Sequence, residues 1–210
     1  MSAGNIIAFG YHDQQAQRHV TLKKQFLSEN EEFVECHTNE NGILKKYIHL
    51  TSIFRKKSKN INTVIVMFPG HILMPIAWIL TRFPRKKLIF DAFISLWDTQ
   101  VNDRKKYSTV NPISWIIYLV DFFACFLADE ILIDTETHKK YFVSKFKIKP
   151  KKIRVIYLET RTDLFYPKIK DVEKKDYFEV LFFGTFIPLQ GIEYILDAAE
   201  ILQKSNQNAH

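Results

Sequence analysis

Cysteine, glycine and proline are all scarce in this chain of 210 residues, at two, six and seven copies. Two cysteines, Cys36 and Cys125, exclude a disulfide-stapled secreted scaffold, and their separation fits no zinc-ligand spacing. They read as small buried hydrophobes in a reducing compartment. So few glycines and prolines exclude collagen-like and linker-like chains. No apolar run reaches the ~20 residues needed to cross a bilayer. No basic segment followed by a long apolar one opens the chain, so no secretory signal is read and a cytoplasmic location is expected.

What is present is an ordinary globular balance, 47% hydrophobic and 25% charged, which excludes a disordered chain. At ~150 residues per domain the length suggests one full core and part of a second. The net charge is +7, from 30 basic and 23 acidic residues. An excess of that size suits nucleic acid, an anionic membrane surface or phosphorylated small molecules. No recognition motif and no dense basic helix supports the first, so nucleic acid is not expected as a partner.

Short apolar runs alternate with helical patterns along the chain. Strands are expected at 5–9, 33–36, 62–68, 88–90, 130–133 and 153–156. Helices are expected after Asp13 as cap, over 72–83 and 113–127, and over 136–146 with Thr135 as cap. The alternation predicts an α/β, Rossmann-like fold: a mostly parallel sheet with helices on both faces. Ligands in such sheets sit at the carboxyl ends of the strands. That draws attention to 10–15, 69–71, 91–98 and 134–135.

Residues 167–177 are polar and highly charged and read as a linker. A strand over 178–183, a loop over 184–191 and an amphipathic helix over 192–203 then read as the first βα unit of a second domain. The expected organisation is 1–166, a domain of its own, then the linker 167–177, then the incomplete unit 178–210. The loop Phe183-Gly184-Thr185-Phe186-Ile187-Pro188-Leu189-Gln190-Gly191 can turn tightly at its first glycine and present a helix N-terminus to a phosphate. It is not the dinucleotide fingerprint G-x-G-x-x-G. A plain βα turn is the other reading.

Residues 180–202 resemble the opening of the carboxyl-terminal domain of retaining GT-B glycosyltransferases of family 4. The segment 128–138, with Ala128-Asp129 before a strand and Thr135 before a helix, resembles that family too. So do 151–156 followed by 163–167, and so does the first-helix stretch 14–20. These segments occur in the family's order over nearly the whole chain. The resemblance implies transfer of a sugar from a nucleotide-sugar donor to a polysaccharide or lipid-linked acceptor. The first domain would hold the acceptor and the second most of the donor. No metal or other cofactor is expected, because basic side chains and helix N-termini neutralise the leaving diphosphate in such enzymes.

Several positions depart from the family pattern. Thr185 and Gln190 stand where basic residues are usual, Gln14-Gln15 where two glycines are usual, and Glu159 and Arg161 where a glycine and an aspartate are usual. The family's distal pair of glutamates would lie beyond His210. The expected donor-binding positions are Gln14, Gln15, Gly184, Thr185 and Gln190. Asp91 and Asp98, after a strand, are the candidate catalytic residues, each with loop or helix capping as the alternative. Arg18 and His71 are the candidate substrate-binding residues. A solvated helix position is the alternative for Arg18, and a helix-start position for His71.

The apolar stretch 113–127 holds ~15 residues and Asp121, too short to span, and reads as a buried core helix. The basic clusters 55–57, 85–87 and 104–106 lie near apolar helices, which suits a peripheral site on an anionic membrane surface or an ordinary solvated face. Little transferase activity is expected of these 210 residues alone. The alternative is a non-catalytic acceptor-binding or membrane-docking subunit that pairs with a separate donor-domain chain.

Overall fold

The protein is described from a computed structural model covering residues 5–27, 32–162, 164–166, 180–184, 186–187 and 190–205. Six strands form one parallel sheet: β1 (Asn5–Gly10), β2 (Phe33–His37), β3 (Ile61–Val66), β4 (Lys87–Phe93), β5 (Glu130–Ile133) and β6 (Ile153–Val155). Their spatial order is β2-β1-β3-β4-β5-β6. The expected α/β class is therefore observed. Parallel neighbours need crossovers, and five helices supply them: α1 (Gln17–Phe26), α2 (Ile43–Lys57), α3 (Met74–Leu80), α4 (Pro112–Leu127) and α5 (Glu136–Phe146). A sixth helix, α6 (Ile192–Lys204), lies in the terminal segment.

Residues alternate between the two faces of the sheet, and the faces are covered differently. Ile7, Phe9, Val64, Val66, Leu88, Phe90, Ile131 and Ile133 form one core with Leu50 and Phe54 of α2, Met74 and Ala77 of α3, Cys125 of α4, and Phe142 and Phe146 of α5. The other face carries Ile6, Ala8, Ile65, Met67, Ile89 and Leu132, which meet Leu22 of α1. Both cysteines are buried, as expected.

Four local expectations change. The first helix begins at Gln17, with Ala16 as an uncapped N-cap, rather than after Asp13. Asp13 Oδ1 instead accepts the Gln15 amide at 2.8 Å, closing an Asx turn one step earlier. The stretch 72–83 divides into a 3₁₀ turn, Gly70–Leu73, and α3. Residues 180–183 form no strand: Val180, Leu181 and Phe183 are exposed and lie in no ladder, which a strand requires. The charged stretch 167–177 lies outside the described residues.

The fourth change concerns α4. It buries only Ser114, Asp121, Ala124 and Cys125, while Trp115, Ile116, Leu119, Phe123 and Phe126 point outward. It is a one-sided covering helix, not a fully buried one. No helix among the described residues is long and apolar enough to cross a membrane.

Candidate functional site

The strand order reverses at β1. The chain passes from β1 to β2 in one direction and then crosses to β3 on the other side of β1. Such a switch point leaves a crevice outside the strand carboxyl ends. A cavity of ≈ 280 Å³ occupies that place. Its lining includes His12 and Asp13 after β1, Met67 and Phe68 after β3, Asp91 and Phe93 of β4, and Arg18 and His19 of α1. Gly10 permits the tight exit from β1, since a Cβ there would stand 3.1 Å from His12 Nδ1.

An ion pair forms part of this wall. Arg18 donates to Asp91 Oδ1 from Nη2 at 2.7 Å and from Nε at 2.9 Å, and from Nη1 to the Ile156 carbonyl at 2.6 Å. Arg18 is 6% exposed and Asp91 0%. Burial pushes the Asp91 carboxyl up from its ordinary value, and the Arg18 guanidinium pulls against that rise. Asp91 Oδ2 is buried without a hydrogen-bond partner. The guanidinium also lies 5.2 Å from the Phe93 ring centroid. Phe93 adopts φ 57°, beside a break in the β4–β5 register, so the strand is strained where it leaves the cleft.

A second polar cluster adjoins the first. His12 Nε2 lies 3.3 Å from Glu35 Oε2, and His19 Nε2 lies 2.9 Å from Glu35 Oε1. The two imidazoles stack with centroids 4.8 Å apart, and both are almost fully buried. Burial lowers the His12 pKa. Burial also works to raise that of Glu35, but the hydrogen bonds from His12 and His19 outweigh it and hold the carboxyl down at about 2. Among the described residues, these three form the one group of histidine, cysteine and carboxylate side chains close enough together to hold a metal ion.

The structure brings Arg18 and Asp91 together and separates the other candidates from them. Asp98 begins a π-helical turn, Asp98–Asp103, where its Oδ1 accepts from Asn102 at 2.6 Å; it does not line the cleft. His71 sits in the 3₁₀ turn at 2% exposure, packed against Phe90 on the opposite face of the sheet. Its Nε2 stands 3.3 Å from Asp121 Oδ1 outside hydrogen-bond geometry. Burial pushes the His71 imidazole down to about 3 and the Asp121 carboxyl up to about 6. Asp121 in turn receives the Trp97 amide at 2.9 Å and the Ser95 hydroxyl at 2.7 Å.

Gln14 and Gln15 are exposed in the turn before α1, beside the cleft lining rather than within it. Gly184 and Gln190 face each other in the terminal segment, where a Cβ on Gly184 would meet the Gln190 amide at 2.7 Å. Thr185 lies outside the described residues. The residues that sequence reasoning did not select are His12, Glu35 and Asp121. Alternation along β2 puts Phe33, Glu35 and His37 on one face, a signal present in the sequence, but nothing there says that α1 covers that face.

Helix α1 thus turns its arginine and one histidine inward. Arg18, His19, Thr21 and Leu22 are its buried residues. Gln17, Lys24 and Gln25 also bind Glu159, which ties the chain after β6 across the helix.

No protein-family model matches the chain. It is similar to the chitobiosyldiphosphodolichol beta-mannosyltransferase of Kluyveromyces lactis, at 32% identity over 124 residues. That stretch covers 57% of this chain and 27% of the relative, so the match spans about a quarter of the relative's length.

Proposed function

We propose that this chain is the acceptor-side part of a GT-B, family-4-type glycosyltransferase. In this reading it takes part in moving a sugar from a nucleotide-sugar donor to a lipid-linked acceptor. The observation that carries the reading is the Arg18–Asp91 pair lining a cavity at the β1/β3 switch point. The similarity to a mannosyltransferase acting on a diphosphodolichol-linked disaccharide supports the substrate class.

The roles follow from the geometry. Asp91 Oδ2 makes no hydrogen bond within the protein and would accept one from an acceptor hydroxyl, and Arg18 holds the carboxyl group in place. On transfer, the acceptor oxygen bonds to the anomeric carbon, the bond from that carbon to the diphosphate oxygen breaks, and the hydroxyl proton leaves to a base. Asp91 is the candidate base. Asp98 lies outside the cleft lining and takes a structural role in this reading; His71 also lies outside it and lines the groove beside α4. Gly184, Thr185 and Gln190 would face the donor together with residues supplied by a donor-binding half.

The outward side of α4 suits a lipid-linked acceptor. Trp115, Ile116, Leu119, Phe123 and Phe126 are exposed there, and a groove of ≈ 390 Å³ runs between α4 and the Gly70–Leu73 turn. Exposed Phe83 follows α3, near the basic residues Arg85 and Lys87, which pair with Asp129 and Glu130. Apolar side chains beside cations fit a peripheral contact with an anionic bilayer.

The test is acceptor binding and transfer. The chain should bind a short-chain polyprenyl diphosphochitobiose better than free chitobiose, and Asp91→Asn should weaken that binding by about tenfold, the loss of one good hydrogen bond to a charged group. Transfer from nucleotide-activated mannose should require a donor-binding half. Equal binding of the free disaccharide, or no effect of Asp91→Asn on binding or transfer, would overturn the reading.

One observation favours a second reading. Helix α6 buries none of its side chains and exposes Tyr194, Leu196 and Ile201. A non-catalytic acceptor-binding subunit would use that face to hold a separate donor-binding chain. Stable co-purification with such a chain, with transfer unaffected by Asp91→Asn, would select it.

A further inference from the structure

We propose that His12, His19 and Glu35 form a binding site for one divalent transition-metal cation of the zinc class, set in the wall of the cleft. Three separate elements converge to make it: the loop after β1, the first part of α1, and edge strand β2. The ligand atoms all lie within 4.8 Å of one another. Zinc bonds of about 2.0–2.2 Å in a tetrahedral arrangement set ligand atoms ~3.4 Å apart. The separations of 3.3 Å from His12 Nε2 to Glu35 Oε2 and 2.9 Å from His19 Nε2 to Oε1 come close to that spacing, but they use the two different oxygens, so the carboxylate would bind through both or turn to offer one. The cation would enter between the three atoms with side-chain movements.

The donor set identifies the class of ion. Two imidazoles and one carboxylate suit zinc, cobalt or nickel, while magnesium and calcium prefer oxygen ligands throughout. Both rings are buried, His12 at 3% and His19 at 4%, and they stack at 16°, so one ring has to turn for both Nε2 atoms to aim at a shared ion. The Glu35 side chain is 26% exposed, which gives an entry path. Three protein ligands leave a fourth position, and His12 and His19 also line the cleft, so that position can open to a bound molecule.

A purely structural hydrogen-bonded cluster is the rival explanation. Such clusters ordinarily satisfy both nitrogens of a buried ring. Nδ1 of His12 and Nδ1 of His19 are both buried without a hydrogen-bond partner and would stay so with an ion on Nε2, so they do not separate the two explanations. Each ring makes its single polar contact toward Glu35. On cation binding each imidazole shifts its proton from Nε2 to Nδ1, where it has no acceptor, and Nε2 bonds to the ion; the metal–ligand bonds have to outweigh that cost. The cation and the carboxylate together leave one net positive charge. The inference does not depend on the sugar-transfer reading.

The test is calorimetric titration of the chelator-treated chain with zinc, together with the visible absorption spectrum of its cobalt form. One zinc per chain should bind. Affinity should fall by more than about 100-fold in Glu35→Gln and in His19→Gln, beyond what loss of an outer-shell partner costs. His138→Gln, a histidine held by Asp134 on α5, should bind like the unaltered chain. Should the variants fail to fold, the unaltered chain still decides: its cobalt spectrum should show four-coordinate nitrogen and oxygen ligation, displaced by zinc and not by magnesium. No saturable zinc binding overturns the proposal. So does equal affinity in Glu35→Gln and His19→Gln, or a cobalt spectrum indistinguishable from the hydrated ion.

Discussion

The side of the sheet under α2 to α5 presents Phe9, Val66, Leu88, Phe90 and Ile131 to Leu50, Phe54, Met74, Phe142 and Phe146. The side under α1 presents Ala8, Met67 and Ile89, and then, toward the strand carboxyl ends, Glu35 and Asp91. The same strands supply both, one residue apart. On the first side, stability comes from removing apolar surface from water. On the second, the buried groups near the cleft are held by pairing: Arg18 with Asp91, and His12 and His19 with Glu35. A buried ion pair roughly balances its desolvation cost, so it adds little stability even though breaking it is costly. The difference teaches where the molecule reserves chemistry. The face that α1 covers keeps its polar residues at the end where a ligand would arrive.

Substitutions can break that contrast. The largest effect is expected from Asp91→Ala, which leaves the Arg18 guanidinium buried and uncompensated, at about 3–5 kcal/mol in urea denaturation. Replacing both partners, Arg18→Met with Asp91→Leu, should restore most of that stability while acceptor binding stays lost. If the double variant is as unstable as the single one, the pair is a true stabiliser and the two faces follow one rule. Leu50→Ala, on the apolar side at 0% exposure, should cost about 2–5 kcal/mol and leave ligand binding by the folded chain unchanged. A loss of binding there would show that the faces are coupled.

A smaller and pH-dependent effect is expected at the polar exception on the apolar side. The fold favours neutral His71, with a pKa of about 3 against an ordinary 6.5. Its contribution is therefore present at neutral pH and is lost as pH falls from 6.5 toward 3. Asp121, raised from 3.8 to about 6, acts in the opposite sense: charging it costs stability as pH rises across that interval, so acid relieves the cost. His71→Phe should remove the acid-sensitive part and leave stability rising on acidification from pH 6 to 4. Denaturation midpoints at several pH values would show it, and an unchanged profile would mean that His71 protonates without strain. The smallest effect is expected for Lys24→Ala, which removes an ion pair with Glu159 at 2.7 Å between largely exposed side chains. It should cost less than about 1 kcal/mol, and a larger loss would mean that the clamp of the β6 exit across α1 is a main support of the cleft.

The strands were legible because each is a short apolar run between turn residues. Asp91 was legible as a residue near a strand end, although β4 continues to Phe93. The helix α2 received no assignment from the sequence reading, yet Ile43, Tyr47, Leu50 and Phe54 recur at helical spacing. Helix α4 shows the limit of apolar content as a guide. Its mean composition suggests burial on all sides, but Trp115, Phe123 and Phe126 face outward while Tyr118 and Phe122 pack against the core. His71 and Asp98 were selected for following strands, and the fold turns one to the far side of the sheet and the other into a helical turn.

Local patterning is enough to set the alternation of strand and helix, and with it a parallel sheet, because parallel neighbours can be joined only by crossovers. It also determined which residues alternate between the faces of each strand. Only the tertiary structure decided that Arg18 meets Asp91, 73 positions away, and that His12 and His19 meet Glu35. Those meetings depend on the strand order β2-β1-β3-β4 and on α1 packing over that face. Local periodicity records which way a side chain points, but not which strand becomes its neighbour.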